Sequence, residues 1–126
     1  MTDKIYIFDT TLRDGAQTQG VDFSLDDKEK ISTALDNLGV DYIEGGWPGA
    51  NPTDTEFFNK EYSFNYSTLT AFGMTKKTEH SAENDPMISS LINSKANSIC
   101  LFGKSWDFHA VSYTHLTLPT SHCVYF

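Results

Sequence analysis

The chain has 126 residues, of which 17 are acidic and 9 basic, giving a net charge of -8. This charge repels the phosphates of nucleic acids and anionic membrane surfaces, so we expect neither as a partner. No apolar run approaches the ~20 residues of a membrane span, and the first residues lack the zones of a signal peptide, which predicts a cytoplasmic location.

Apolar runs and helical patterns alternate along the chain. Strands are predicted at residues 5–8, 40–44, 67–72 and 98–102, and helices at 24–38, from 53, and from 85. The order β-α-β-α-β-α-β predicts an α/β fold with parallel strands and right-handed crossovers. By pattern alone it fits half of a (β/α)8 barrel and a doubly wound sheet equally well.

The first predicted helix has clear start and stop signals. Ser24 is placed to cap its N-terminus, and Gly39 is placed to end it in the left-handed conformation. Ile31, Leu35 and Leu38 are spaced i, i+4 and i+7, which predicts one apolar stripe facing a core.

The other two helices are marked less strongly. Thr53 is the candidate N-cap of the second helix, which carries Phe57 and Phe58. The third helix is predicted to begin near Asp85, because proline is tolerated in a first turn. Its core-facing stripe is predicted to be Met87, Ile88, Leu91 and Ile92.

A cluster of polar residues follows the first strand, in the sequence Asp-Thr-Thr-Leu-Arg-Asp-Gly-Ala-Gln at residues 9–17. The carboxyl end of a strand is the usual position of chemistry in α/β proteins. Here it carries a guanidinium, which suits an oxyanion, and a carboxylate, which suits a metal. Taken only as spacing, Arg-Asp-Gly is also an ordinary turn. Glu44 ends the second strand and is a second carboxylate at the same edge.

One motif resembles a known family. Leu-Arg-Asp-Gly-x-Gln at residues 12–17, followed after ten residues by Lys28, resembles the isopropylmalate, homocitrate and citramalate synthases. Residues 42–52, 71–73 and 102–109 resemble the citramalate branch in particular. The resemblance runs from the first residues to His109 and implies a metal-dependent TIM barrel that condenses acetyl-CoA with an α-keto acid.

The resemblance also implies how much of the fold is present. A closed barrel needs roughly 250 residues, so residues 1–109 are expected to form a partial catalytic domain, the N-terminal half of a TIM (β/α)8 barrel with about four βα units. The implied parent is an acyltransferase of isoleucine biosynthesis that makes citramalate from pyruvate and acetyl-CoA, and it is expected to be a homodimer. Isopropylmalate and homocitrate synthases are the alternatives, because all three branches share the motif.

The resemblance assigns roles to four site residues. Arg13 matches the family's catalytic arginine, and Asp14 matches a ligand of its divalent metal, of the Mg or Mn class. Gln17 and Glu44 are expected to bind substrate, with a purely structural role open for Glu44. Asp9 is expected to be a structural hydrogen-bond partner, and Lys28 to have a solvated or salt-bridged structural role. The family's His-x-His metal ligands do not occur in this sequence, so we expect this chain alone to be inactive.

The end of the chain differs in composition. Residues 108–126 contain no Asp, Glu, Lys or Arg. Residues 111–120 resemble the conceptual translation of a sequencing adapter, so residues 110–126 are expected to be a non-native tail; a genuine β-rich tail is the alternative. Cys100 is expected to be a buried, inert thiol.

A protein of another class is the remaining alternative. The same sequence is compatible with a small acidic α/β module that binds a keto acid or an acyl-CoA without catalysis. Such a module requires a monomer that unfolds cooperatively.

Overall fold

The computed structural model describes residues 2–104 and the backbone of one further strand. Its strands are β1 (Phe8–Asp9), β2 (Tyr42–Gly46), β3 (Thr68–Met74), β4 (Ser98–Phe102) and β5 (Cys123–Tyr125), and its helices are α1 (Leu25–Leu38), α2 (Pro52–Asn59) and α3 (Pro86–Ile92). A short 3-10 turn covers Gly15–Gln17.

The strands form one sheet in the order β1-β2-β3-β4-β5. The first three pairings are parallel, and β5 pairs antiparallel with β4. The predicted α/β alternation is therefore confirmed over the first four strands, in keeping with part of a barrel. β5 falls within the suspected tail, whose origin stays a prediction.

The first strand differs from the prediction. It was expected to be buried over residues 5–8, but only Phe8–Asp9 is a strand. Ile5, Tyr6 and Ile7 are 84%, 55% and 57% exposed. The physical reason is that β1 is an edge of the sheet: β2 pairs with one side, and no described strand covers the other.

Helix α1 has the predicted ends. The Ser24 hydroxyl accepts a hydrogen bond from the Asp27 amide, and the Asp27 carboxylate accepts one from the Ser24 amide, forming a capping box. Gly39 has φ 88°, a conformation that glycine adopts without strain. Ile31 and Leu35 pack against the core. Leu38 was expected on the same stripe but is 77% exposed, because it is the last residue of α1 and no further helical turn follows it.

The most buried residues of α1 are polar. Lys28, Ser32 and Asp36 are spaced by four residues and are buried. The Asp36 carboxylate accepts hydrogen bonds from the amides of Asn65, Tyr66 and Ser67 at 2.8–2.9 Å. The helix is thereby bonded to the segment that leads into β3.

Helix α2 begins two residues earlier than predicted. Asn51 rather than Thr53 is the N-cap, and its side-chain oxygen accepts a hydrogen bond from the Asp54 amide. Pro52 then occupies the first helical position, which suits its fixed φ. Phe57 and Phe58 are buried at the centre of the core.

Helix α3 begins at the predicted cap. The Asp85 side chain accepts hydrogen bonds from the amides of Met87 and Ile88. Leu91 is buried, but Ile92 is 68% exposed, so the predicted stripe is narrower than four residues. Leu91 packs closely against Gly73 of β3 because glycine has no side chain: a Cβ on Gly73 would lie 2.2 Å from a Leu91 methyl carbon.

Two further findings concern the described part of the chain. Cys100 is buried as expected, but it is disulfide-bonded and so is not the free thiol that we predicted. Within the described residues, no helix has both the length and the apolar character that crossing a membrane requires.

Candidate functional site

The site lies where β1 and β2 end. After Asp9, the chain turns sharply because the Thr10 carbonyl accepts hydrogen bonds from the amides of Arg13, Asp14 and Gly15. The Asp9 carboxylate accepts hydrogen bonds from the amide and the hydroxyl of Thr11 at 3.0 and 3.1 Å, which is the structural role expected for it. This turn places Arg13 beside the end of β2.

Arg13 is held on two sides. Its Nε donates a hydrogen bond to Glu44 Oε1, and its guanidinium carbon lies 4.2 Å from the centre of the Phe72 ring. The Arg13 side chain is 21% exposed. A guanidinium paired at one edge and stacked on an aromatic face has little rotational freedom, so its other donors keep a defined direction.

Glu44 lies behind Arg13 and is almost fully buried. Burial raises the pKa of Glu44 above its ordinary value, and this effect outweighs the opposing hydrogen bond and charge of Arg13. Glu44 is not among the residues that line the adjacent cleft. The structure thus brings it to Arg13, and direct contact of Glu44 with a substrate stays a prediction.

Asp14 points away from the core. Its side chain is 64% exposed, and Oδ1 lies 3.5 Å from an Nη of Arg13. Within residues 2–104, no three His, Cys, Asp or Glu side chains are grouped so as to hold a metal ion. A hard divalent cation takes about six oxygen ligands. These residues therefore do not fit a complete metal centre, although Asp14 is free to supply one ligand.

A cleft of about 300 Å³ opens next to Arg13. Its walls include Arg13, Gln17, Phe23, Lys28, Trp47 and Asp54. The structure thus brings Gln17 to the same cleft as Arg13, as the motif predicted. Trp47 forms an edge-to-face contact with Phe72, at 5.4 Å between ring centres, so the ring that supports Arg13 is itself supported.

The environment of Lys28 differs from the prediction. Lys28 was expected to be either solvated or salt-bridged. The expected solvation is wrong, because only 2% of the residue is exposed. The expected salt bridge is present, since Lys28 Nζ lies 2.5 Å from Asp54 Oδ1. A signal existed in the sequence. Lys28 lies three and seven residues before Ile31 and Leu35, which puts it on the same inward face of α1.

A parallel sheet with helices between its strands and charged side chains at the strands' carboxyl ends defines an α/β protein. The chain belongs to the HMGL-like family, a family of TIM barrels, whose profile matches residues 4–91. His109, which closes the stretch that resembles the citramalate branch, lies outside the described residues.

The chain is similar to the (R)-citramalate synthases of Aquifex aeolicus and Sulfolobus acidocaldarius. The identities are 48% over 120 residues and 46% over 119 residues, covering 94% and 93% of this chain. The chain spans 23% of the length of each. It is also similar to the 2-isopropylmalate synthase of Methanocaldococcus jannaschii, with 49% identity over 63 residues, which is 50% of this chain and 12% of that protein. The family resemblance is therefore confirmed.

Proposed function

We propose that this chain forms part of the active site of an acyltransferase that condenses acetyl-CoA with pyruvate to give citramalate. The proposal rests on one observation: Glu44 and Phe72 hold the Arg13 guanidinium in place at the rim of a cleft. Similarity to proteins named (R)-citramalate synthase over most of this chain supports pyruvate as the α-keto acid.

The reaction places negative charge on two oxygens in turn. Loss of a methyl proton from acetyl-CoA moves charge onto the thioester oxygen. The resulting enolate carbon then bonds to the keto carbon of pyruvate, and the keto oxygen becomes an alkoxide that takes up a proton. Hydrolysis of the thioester by water releases CoA and the second carboxylate of citramalate. Fixed donors directed at such oxygens lower the barrier, because they need no rearrangement when the charge develops.

Arg13 is suited to that role. Glu44 accepts from Nε, and Asp14 lies near one Nη. Among the described contacts, this leaves the other Nη for the carboxylate or the keto oxygen of the substrate. The N–H groups of that Nη have a fixed direction and carry part of the positive charge, so they can both orient a substrate oxygen and stabilise negative charge on it. The Gln17 amide lines the same cleft, and we expect it to bind the substrate's remaining polar groups.

A divalent metal bound to the α-keto acid would polarise its carbonyl. Asp14 is the residue of this chain that would hold it, and the remaining ligands must come from outside residues 2–104. Because the sequence has no His-x-His pair, the 126-residue chain is predicted to be inactive alone.

A chimera tests the proposal. Residues 4–104 of this chain would replace the aligned segment of the Aquifex aeolicus (R)-citramalate synthase, and CoA release would be measured with pyruvate and with a branched α-keto acid. We expect release with pyruvate at a rate within about tenfold of the unmodified enzyme, equivalent to about 1.4 kcal/mol in the barrier. The 126-residue chain, assayed beside it, is expected to release none.

Two results would contradict the proposal. If the chimera folds, as judged by circular dichroism, but releases no CoA, the proposed acyltransferase function is wrong. A preference for the branched acid would instead favour the isopropylmalate alternative.

A further inference from the structure

The ammonium group of Lys28 joins three separate elements beneath the candidate site. Its Nζ donates hydrogen bonds to the carbonyls of Leu12 and Gly45 at 2.9 and 2.7 Å and forms an ion pair with Asp54. These acceptors belong to the loop after β1, to β2 and to α2. All three N–H donors of the ammonium are therefore used.

The two carbonyls are next to the residues of the Arg13 pair. Leu12 immediately precedes Arg13, and Gly45 immediately follows Glu44. Both carbonyls accept from one nitrogen atom, so the backbone on the Arg13 side and the backbone on the Glu44 side are held at a set distance. The hydrogen bond between the Arg13 and Glu44 side chains joins the same two backbone segments.

Asp54 balances the buried charge and completes the attachment. Its other carboxylate oxygen accepts a hydrogen bond from the Trp47 amide at 2.9 Å. A Cβ on Gly46 would lie 2.6 Å from this carboxylate, so the absence of a side chain at Gly46 lets Asp54 approach β2. The end of β2 is thus bonded to Lys28 through Gly45 and to Asp54 through Trp47.

We propose that Lys28 is a positioning residue that sets the geometry of Arg13 by tying the residue before it to the residue after Glu44. Its importance for catalysis rests on the proposed function, whereas the effect on Arg13 geometry does not. An ammonium suits the task because it has three rotatable donors and a compact charge. A methionine of similar length would leave two carbonyls without donors and the Asp54 carboxylate unpaired.

The sequence offers a direct probe. Arg13 is the only arginine among the 126 residues, so the ¹⁵N-labelled full chain has a single arginine Nε–H signal. Hydrogen exchange at that group reports whether its bond to Glu44 is held. The measurement compares the wild-type chain with Lys28→Met and with Lys30→Met. Lys30 lies on the same helix with its side chain 74% exposed, so it is a matched control.

We expect Lys28→Met to accelerate Arg13 Nε–H exchange by about tenfold or more. Lys30→Met should leave the rate within about twofold of wild type, as expected for an exposed ion pair. The amides of Asn65, Tyr66 and Ser67, which donate to Asp36 at the other end of α1, should keep their protection in both variants. This pattern would show that the effect is directed at Arg13.

Two outcomes would overturn the proposal. One is unchanged Arg13 exchange in a folded Lys28→Met chain. The other is equal acceleration at Arg13 and at the Asn65–Ser67 amides, which would make Lys28 a residue of general stability. If Lys28→Met does not fold, Lys28→Gln carries the test, because glutamine keeps an N–H donor of shorter reach. Exchange at Arg13 should then be faster than in the wild-type chain, and an unchanged rate would overturn the proposal. No substrate is added, so the result is independent of the acyltransferase test.

Discussion

Arg13 combines three contacts that usually occur separately in proteins. It donates to a buried carboxylate, stacks on an aromatic ring and lines a cleft. Lysine would keep the positive charge at this position, but it has no planar fork to bond Glu44 and a substrate carboxylate together. The chemistry of the site therefore depends on the shape of the cation as well as on its charge.

Replacement of Arg13 by lysine in the chimera tests this dependence. We expect Arg13→Lys to lower kcat/KM with pyruvate by about 10² to 10³, the cost of removing one fixed donor from an oxyanion site. Steady-state CoA release provides the measurement, and Lys30→Arg on the surface of α1 serves as the control with unchanged kinetics. An Arg13→Lys chimera with nearly full activity would show that charge alone suffices.

At the scale of the element, α1 has two inward stripes of different chemistry. The apolar stripe of Ile31 and Leu35 packs on the core. The polar stripe of Lys28, Ser32 and Asp36 is buried beside it. Lys28 donates a hydrogen bond to the loop at the carboxyl end of β1. At the opposite end of the helix, Asp36 accepts a hydrogen bond from the segment before β3. The helix therefore connects both ends of the sheet.

The Asp36 contact predicts a pH-dependent stability. Burial acts to raise the pKa of Asp36, but hydrogen bonds from the amides of Asn65, Tyr66 and Ser67 outweigh it and lower the pKa below its ordinary value. A carboxyl with a lowered folded-state pKa stabilises the fold above its unfolded pKa of about 3.9, and this stabilisation is lost as the pH falls through the lowered folded-state value.

Asp36→Asn should therefore lower the free energy of unfolding at pH 7 by about 1.5–3 kcal/mol. The gap between wild type and variant should narrow as the pH falls below about 4. Urea unfolding followed by circular dichroism at several pH values measures both effects. Asp26→Asn, at an exposed position of the same helix, should have a smaller effect, and a gap that widens at low pH would contradict the prediction.

At the scale of the whole molecule, the sheet is open at β1. Ile5, Tyr6 and Ile7 expose apolar side chains next to that edge. An open edge with apolar neighbours promotes pairing between chains, and charged residues at such edges suppress it. The 126-residue chain is therefore expected to self-associate through this region.

A lysine at the edge should reduce that association. Ile5→Lys is expected to lower the fraction of oligomer in sedimentation velocity experiments, because an inserted charge opposes edge-to-edge pairing. Ile92→Lys makes the same kind of change at an apolar residue that is 68% exposed on α3, a helix that packs on β3, and it should not change the distribution. Equal effects of the two variants would indicate that net charge alone governs association.

Thermal unfolding separates the partial barrel from the small binding module. A partial barrel with an open edge should unfold broadly or aggregate on heating, whereas a complete module should show one sharp transition as a monomer. Calorimetry combined with light scattering distinguishes these outcomes. A sharp, reversible, monomeric transition would favour the module.

The sequence alone determined the features that depend on near neighbours. The capping box at Ser24, the left-handed Gly39 and the alternation of strands and helices follow from residues within a few positions of each other. The Arg-Asp-Gly motif could likewise be predicted to be a candidate site, because the end of a strand is visible where apolar residues give way to charged ones.

Only the tertiary structure decided which side chains are covered. Ile5 looks like a core residue because it lies in an apolar run, and Leu38 because of its helical spacing. Both are exposed, because no described strand or helix lies over them. Lys28 looks like a surface residue by type but is buried, because Leu12, Gly45 and Asp54 converge on it from 16, 17 and 26 residues away in the chain. Burial depends on partners that are distant in sequence, so it cannot be predicted from composition or from the local spacing of apolar residues.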